Sequence, residues 1–188
     1  MRINTGIYKG RKIILPEGIR PTQEKVRKAL FDILGDIEGL SFLELFAGSG
    51  SVGFEAASRL AKEVVFIEVN QQAQTAIQKN IRALKAGNCQ LIGLEVEKTI
   101  QILARNQRKF DLIFLDPPYY QDAAKKTLQT LGGYDILAPV GFAIAQHFKA
   151  DLLEDSIGKL VRFRQAKYGD TLLSFYKYVP ESDLPRNI

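Results

Sequence analysis

Phe110-Asp-Leu-Ile-Phe-Leu115, running into Asp116-Pro117-Pro118-Tyr119, is the stretch on which the reading of this chain turns. Its first six residues are dense in apolar and aromatic side chains, the pattern of a strand buried on both faces in a parallel sheet. Two prolines then end the strand. Neither offers a backbone N–H, both fix φ, and the carbonyls before and between them are held facing outward. Open α/β sheets bind ligands just outside the carboxyl ends of their strands. A carboxylate, rigid carbonyls and an aromatic ring placed there are equipment for gripping a flat group that bears an amine. Two acceptors meet its two N–H bonds, and the ring of Tyr119 stacks on its plane. The plainer alternative is a strand exit in which Asp116 caps a turn and Tyr119 covers the core.

Working outward, strands and helices alternate. Phe42–Leu45, Val64–Ile67, Gln90–Ile92 and Gly141–Gln146 predict further strands, with helices over 52–60, 71–85, 98–105 and 122–131. Lys159–Tyr168 and Thr171–Tyr178 alternate in polarity around Gly169-Asp170, as an antiparallel hairpin does. The expected fold is α/β: a Rossmann-like, mainly parallel, doubly wound sheet with a C-terminal antiparallel hairpin. Ahead of it, Ile3–Tyr8 and Lys12–Leu15 flank Lys9-Gly10-Arg11 and predict a small β-ribbon. Thr22 is the expected N-cap of a helix from Gln23 to about Leu34. Residues 1–36 thus read as a basic N-terminal extension and 37–188 as the sheet domain.

Composition narrows the classes. At 188 residues, 46% apolar and 25% charged, the chain has an ordinary globular balance. No apolar run approaches the ~20 residues that span a bilayer. Met-Arg-Ile-Asn-Thr-Gly lacks the apolar centre of a signal peptide. A cytoplasmic monomer is therefore expected. Cys89 is the single cysteine and His147 the single histidine, so a disulfide, a metal cluster and a histidine-based triad would all lack partners. The net charge of +5 is unevenly spread: residues 1–28 hold eight basic and two acidic side chains, the other 160 hold 18 and 19. All the excess positive charge is N-terminal, which points to a polyanion-binding surface rather than a solvated face. Lys159, Arg162, Arg164 and Lys167 read as a solvated edge.

The chemistry of the first half is less specific. Phe46-Ala47-Gly48-Ser49-Gly50-Ser51-Val52-Gly53 follows the first strand and opens the first helix. Its glycines permit a tight turn, close approach of a ligand, and close packing of helix on sheet. A branched side chain at Gly50 is expected to block the ligand without disturbing the fold. Glu68, 20 residues beyond Gly48, would accept hydrogen bonds from ribose hydroxyls. That spacing suits NAD and S-adenosylmethionine equally. Asp116-Pro-Pro-Tyr119 separates them, since hydride transfer has no evident use for it and amine methylation does. Glu95, past the third strand, would reach an adenine amino group, with Val96 against the ring; an exposed loop glutamate is the plain alternative.

These pieces together resemble a known family. Arg20-Pro21-Thr22, Val26-Arg27-Lys28-Ala-Leu30-Phe31, Phe46-Ala-Gly-Ser-Gly50, Glu55-Ala56, Ser58-Arg59 and Asp116-Pro-Pro-Tyr119 look like the bacterial 16S ribosomal RNA guanine-N2 methyltransferases. The resemblance runs from Met1 to Tyr178. It implies a Rossmann-like methyltransferase fold and S-adenosylmethionine as cofactor, held by Phe46, Ala47, Gly48, Ser49, Gly50, Glu68, Val69, Glu95 and Val96. It implies target binding and catalysis by Asp116, Pro117, Pro118 and Tyr119. RNA would be met by Arg2, Lys9, Arg11, Lys12, Arg20, Thr22 and Arg27. The implied partner is 16S ribosomal RNA, in the small subunit or an assembly intermediate of it. Two positions depart from the family pattern: Asp32 stands where asparagine is commoner, and Gln146 replaces a carboxylate near the end of the fifth strand. The readings left open are an amino methyltransferase acting on DNA adenine or cytosine or on protein glutamine, and a non-catalytic RNA-binding assembly factor.

Overall fold

The structure, a computed structural model, describes residues 1–18, 22–118 and 122–179. The chain divides into two compact units, Met1–Val96 and Glu97–Ile188.

In the first unit, three parallel strands lie in the order β3-β2-β1: β1 Ser41–Leu45, β2 Glu63–Ile67 and β3 Cys89–Ile92. All five residues of β1 are buried, as a strand covered on both faces demands. Helix α1 spans Glu24–Leu34, α2 Ser51–Ser58 and α3 Gln71–Leu84. The N-cap of α1 is Gln23, with no side-chain cap bond, so Thr22 does not have the capping role expected of it. The Asn70 side chain caps α3, accepting from the Ala73 N–H at 3.0 Å. Every residue of α2 is buried, including Glu55 and Ser58.

Those two polar residues shorten the expected N-terminal ribbon. Among the described residues, one isolated antiparallel bridge, Arg2 with Lys12, remains of it. Ile3 donates to the Arg11 carbonyl (3.1 Å), Gly10 to the Ile3 carbonyl (2.9 Å) and Ile13 to the Met1 carbonyl (3.1 Å), while N–H groups between them go to α2. Asn4 and Thr5 donate to the Glu55 carboxylate at 2.8 and 3.1 Å, Tyr8 to the Ser58 hydroxyl at 2.9 Å, and Ile7 to the Ser58 carbonyl at 2.8 Å. Gly6 is required here: at φ +78° a Cβ would sit 1.8 Å from the Ser58 carbonyl oxygen. Ile14 then exchanges two hydrogen bonds with the Asn80 side chain on α3. The N-terminal segment is thus packed into the first unit rather than standing apart from it.

The second unit contains β4 Phe110–Leu115, β5 Leu137–Phe148, β6 Ser156–Ile157, β7 Leu160–Tyr168 and β8 Thr171–Tyr178, in the order β4-β5-β8-β7-β6. β4 and β5 are parallel, and the remaining pairs are antiparallel, closing in the expected hairpin. Helix α4 runs from Val96 at the junction to Arg105, and α5 spans Ala123–Gly133. β5 begins four residues earlier than expected, with a register shift opposite Phe110–Leu112. Gly141 lies inside β5 and passes so close to the β4 backbone that a Cβ would lie 2.7 Å from the Asp111 carbonyl oxygen. Among the described residues no helix is long and apolar enough to cross a membrane.

Candidate active site

The glycine loop leaves β1 through a run of unusual backbone. Phe46, Gly48 and Gly50 have φ of 59°, 52° and 70°, and only glycine adopts such values without strain. The Ala47 N–H is tied to the Ile67 carbonyl at the end of β2 (2.9 Å), and the Gly50 N–H folds back onto the Ala47 carbonyl (2.7 Å). Glu68, just past β2, accepts from the Gly48 N–H through Oε2 at 2.6 Å and from the Asn70 N–H through Oε1 at 2.8 Å. The acid is therefore fixed in place by the loop it serves. Each carboxylate oxygen retains capacity for a second donor such as a ligand hydroxyl.

Beneath the loop lies a carboxylate that the sequence reading missed. Glu44, in the middle of β1, is 3% exposed and accepts from the Gly53 N–H at 2.8 Å. A Cβ on Gly53 would lie 2.7 Å from that same oxygen and 2.4 Å from the Phe66 ring, so the expected close packing at Gly53 is present. The signal that could have found it is an acidic residue inside a buried apolar run. Of the other residues expected at the cofactor, Ala47, Ser49 and Val96 are buried, Phe46 partly so, and Val69 and Glu95 exposed. Cys89, at the start of β3, is no nucleophile, since burial pushes its thiol up to about 12.

In the second unit, β4 delivers Asp116 at its carboxyl end, partly buried, with Pro117 buried and Pro118 exposed. Tyr119 lies outside the described residues. Gln146, near the end of β5, donates from Nε2 to Asp116 Oδ2 at 2.8 Å. A small cleft opens here, lined by Pro117, Pro118, Gln146, His147, Leu152 and Leu153 among others. Leu152 is 89% exposed at this cleft.

His147 is buried and braced at both ring nitrogens, by the Phe148 carbonyl at Nδ1 (3.1 Å) and the Ser174 hydroxyl at Nε2 (2.9 Å). The carbonyl can only accept, so Nδ1 carries the proton and Nε2 accepts from Ser174. Ser174 in turn accepts from Gln165 at 2.9 Å. Burial holds the imidazole below its ordinary value, against the opposing pull of the Phe148 carbonyl and Asp151. It is a neutral brace rather than an acid or base.

The residues expected to meet RNA divide. Arg2, Lys9, Arg11 and Lys12 are exposed, with Arg2 donating to the Gly10 carbonyl and Arg11 to the Ala83 carbonyl. Arg20 lies outside the described residues, and Thr22 is partly buried. Arg27 is a correction. It is 0% exposed, donates to the Arg2 carbonyl (3.1 Å) and the Asn4 side chain (3.2 Å), and stands 3.8 Å from the Glu55 carboxylate. A guanidinium closed in on every side cannot reach a phosphate; it clamps the N-terminal segment to α2.

Comparison with known proteins places this arrangement among relatives. The family described as Conserved hypothetical protein 95 matches residues 1–177. YlbH of Bacillus subtilis is 33% identical over 181 residues, covering 94% of this chain and 98% of its own length. Ribosomal RNA small subunit methyltransferase D of Haemophilus influenzae is 36% identical, covering 74% of each chain. A hypothetical protein of Thermus thermophilus has a solved structure that superposes with a TM-score of 0.81 at 30% identity, over 94% of this chain and 99% of that one.

Proposed function

The chain belongs to the conserved hypothetical protein 95 family, and from that membership we propose that it methylates the exocyclic N2 amine of a guanine in 16S ribosomal RNA, using S-adenosylmethionine. The observation that carries the reading is Asp116-Pro117-Pro118 at the end of β4, with the Asp116 carboxylate anchored by Gln146 beside an open cleft. The name of the Haemophilus influenzae relative supports ribosomal RNA of the small subunit as the substrate. A substrate of that kind places the protein in the cytoplasm.

The glycine loop fits the cofactor. Gly48 and Gly50, in left-handed backbone, put no side chain at those two positions of the turn, and Glu68 is prearranged to accept from ribose hydroxyls. Bound there, S-adenosylmethionine supplies an electrophilic methyl group whose departure leaves a neutral thioether. The protein's own contribution is to the amine. The lone pair of guanine N2 is delocalised into the ring, so the nitrogen is a weak nucleophile. Asp116 and the Pro117 carbonyl each accept one N–H, which favours a pyramidal nitrogen with its lone pair directed outward. As the new N–C bond forms, one N–H proton must leave, and Asp116 is the base within reach. Holding the reactants in line supplies much of the rate. The guanine enters unpaired or flipped from its stack.

The test is transfer of a labelled methyl group offered in parallel to reconstituted small subunits, naked 16S RNA, duplex DNA and protein, with digestion to nucleosides. N2-methylguanosine from RNA or subunits is expected. Label in DNA, in protein or in N6-methyladenosine would overturn the assignment.

A further inference from the structure

Gln146 has a property that anchoring Asp116 does not require. Its side chain is 5% exposed, and its Oε1 is buried with no hydrogen-bond partner among the described residues. The orientation of the amide is settled by chemistry: Asp116 as a carboxylate only accepts, so Nε2 must face it at 2.8 Å and Oε1 must be turned elsewhere. A buried acceptor left unsatisfied is costly, and such groups in native proteins call for an explanation. Were the task only to hold Asp116, a donor-only or hydroxyl-bearing side chain would do so without an orphaned oxygen. Gln146 also lines the cleft, where Pro117, Pro118, Leu152 and Leu153 offer apolar surface to the faces of a flat base and Asp122, Lys125 and Asp151 offer polar groups to its edges.

Resting on the function proposed above, we propose that Gln146 Oε1 is the group that reads the target as guanine, accepting the ring N1–H next to the amine held by Asp116. In guanine the exocyclic N2 stands beside a ring N–H. In adenine and cytosine the exocyclic amine stands beside a ring nitrogen carrying a lone pair. An acceptor adjacent to Asp116 therefore completes guanine and opposes the other two, so that one oxygen both attracts the right base and repels the wrong ones. The pair acts as a fork: Asp116 takes an amine hydrogen, Gln146 takes the ring hydrogen, and the Nε2 bond keeps the two acceptors in register. Both residues belong to the second unit, so the reader is built within β4 and β5 alone.

The experiment combines an atomic change in the base with a change in the protein. Once the methylated guanine has been located, subunits are reconstituted from 16S RNA ligated around a synthetic segment carrying guanine or 2-aminopurine at that position. 2-Aminopurine keeps the 2-amino group and lacks the N1–H. The unaltered protein should prefer guanine by roughly 10² or more in kcat/KM, because a site built around a hydrogen bond rejects an analogue that lacks it. Gln146→Leu and Gln146→Met should lower turnover of guanine and shrink that preference at least tenfold. Calorimetry of S-adenosylmethionine binding checks that each variant is folded. A preference that survives in the variants, with both bases slowed equally, would show that Gln146 only positions Asp116. Equal rates on the two bases with the unaltered protein would overturn the proposal without any variant. Absence of N2-methylguanosine from every RNA would sink the functional reading itself, a different failure from an unchanged preference.

Discussion

In the proposed reaction Asp116 acts through one carboxylate, which the Gln146 amide holds at 2.8 Å. Replacing it with alanine should lower methyl transfer by roughly 10²–10⁴, the scale for losing a positioned acid–base group. S-adenosylmethionine affinity by calorimetry should stay near normal, since Asp116 is not part of the glycine loop; near-normal turnover would reduce the tetrapeptide to a structural role. Gly50 behaves otherwise than its sequence suggests. From the motif alone, a branched side chain there costs only the ligand. Its φ of +70° and the 2.9 Å separation between an added Cβ and the Phe54 ring make Gly50→Val a folding defect as well. A clear drop in melting temperature should accompany any loss of binding. The backbone of the candidate site was legible because prolines and glycines announce backbone geometry directly. Glu44 and the orphaned oxygen of Gln146 were not, since a buried polar contact depends on which strands become neighbours.

Among the elements, β1 to β5 and the C-terminal hairpin could be placed from hydrophobic period and turn residues, with boundaries shifted by a few positions. The N-terminal ribbon could be placed only in part. Its alternation was genuine, but the donors of Asn4, Thr5, Ile7 and Tyr8 found better partners some fifty residues away on α2. Nothing local to residues 1–15 encodes that choice. Glu55 gathers the Asn4 and Thr5 donors together with Arg27 at 3.8 Å and Arg59 at 3.4 Å, all at a residue that is 1% exposed. Arg27→Met, which keeps the bulk and drops the charge, should therefore cost about 3 kcal/mol by leaving a buried carboxylate short of its counter-ion. Denaturant unfolding measures it, and a loss of RNA affinity in a variant of unchanged stability would restore Arg27 to the RNA surface. On β5, His147 adds a pH dependence. Its folded value is depressed by burial, so the unfolded chain binds the proton first as pH falls. The contribution is intact above the ordinary histidine value, near about 6.5, and is lost progressively below it. The unfolding midpoint should fall between about pH 7.5 and about pH 5.5, and His147→Gln should flatten that slope.

For the molecule as a whole, the charge asymmetry is the property most open to measurement. With Arg27 buried and Arg2 and Arg11 bonded to carbonyls, Lys9, Lys12, Lys25 and Lys28 remain as exposed lysines of the basic segment. Replacing Arg2, Lys9, Arg11 and Lys12 with glutamine should reduce the salt slope of RNA binding by about 0.7–0.9 for each phosphate no longer neutralised. S-adenosylmethionine binding should not change, and an unaltered slope would mean that substrate recognition lies elsewhere. The stitching of the N-terminal segment onto α2 has a consequence for the order of events in synthesis. Tyr8 leaves the ribosome some fifty residues ahead of Ser58, its eventual partner, which at about 5–20 residues per second is an interval of roughly 3–10 s. The cations of residues 1–28 emerge one after another, and all eight are out, beside the ribosome's own RNA, before the helix on which the segment docks is complete.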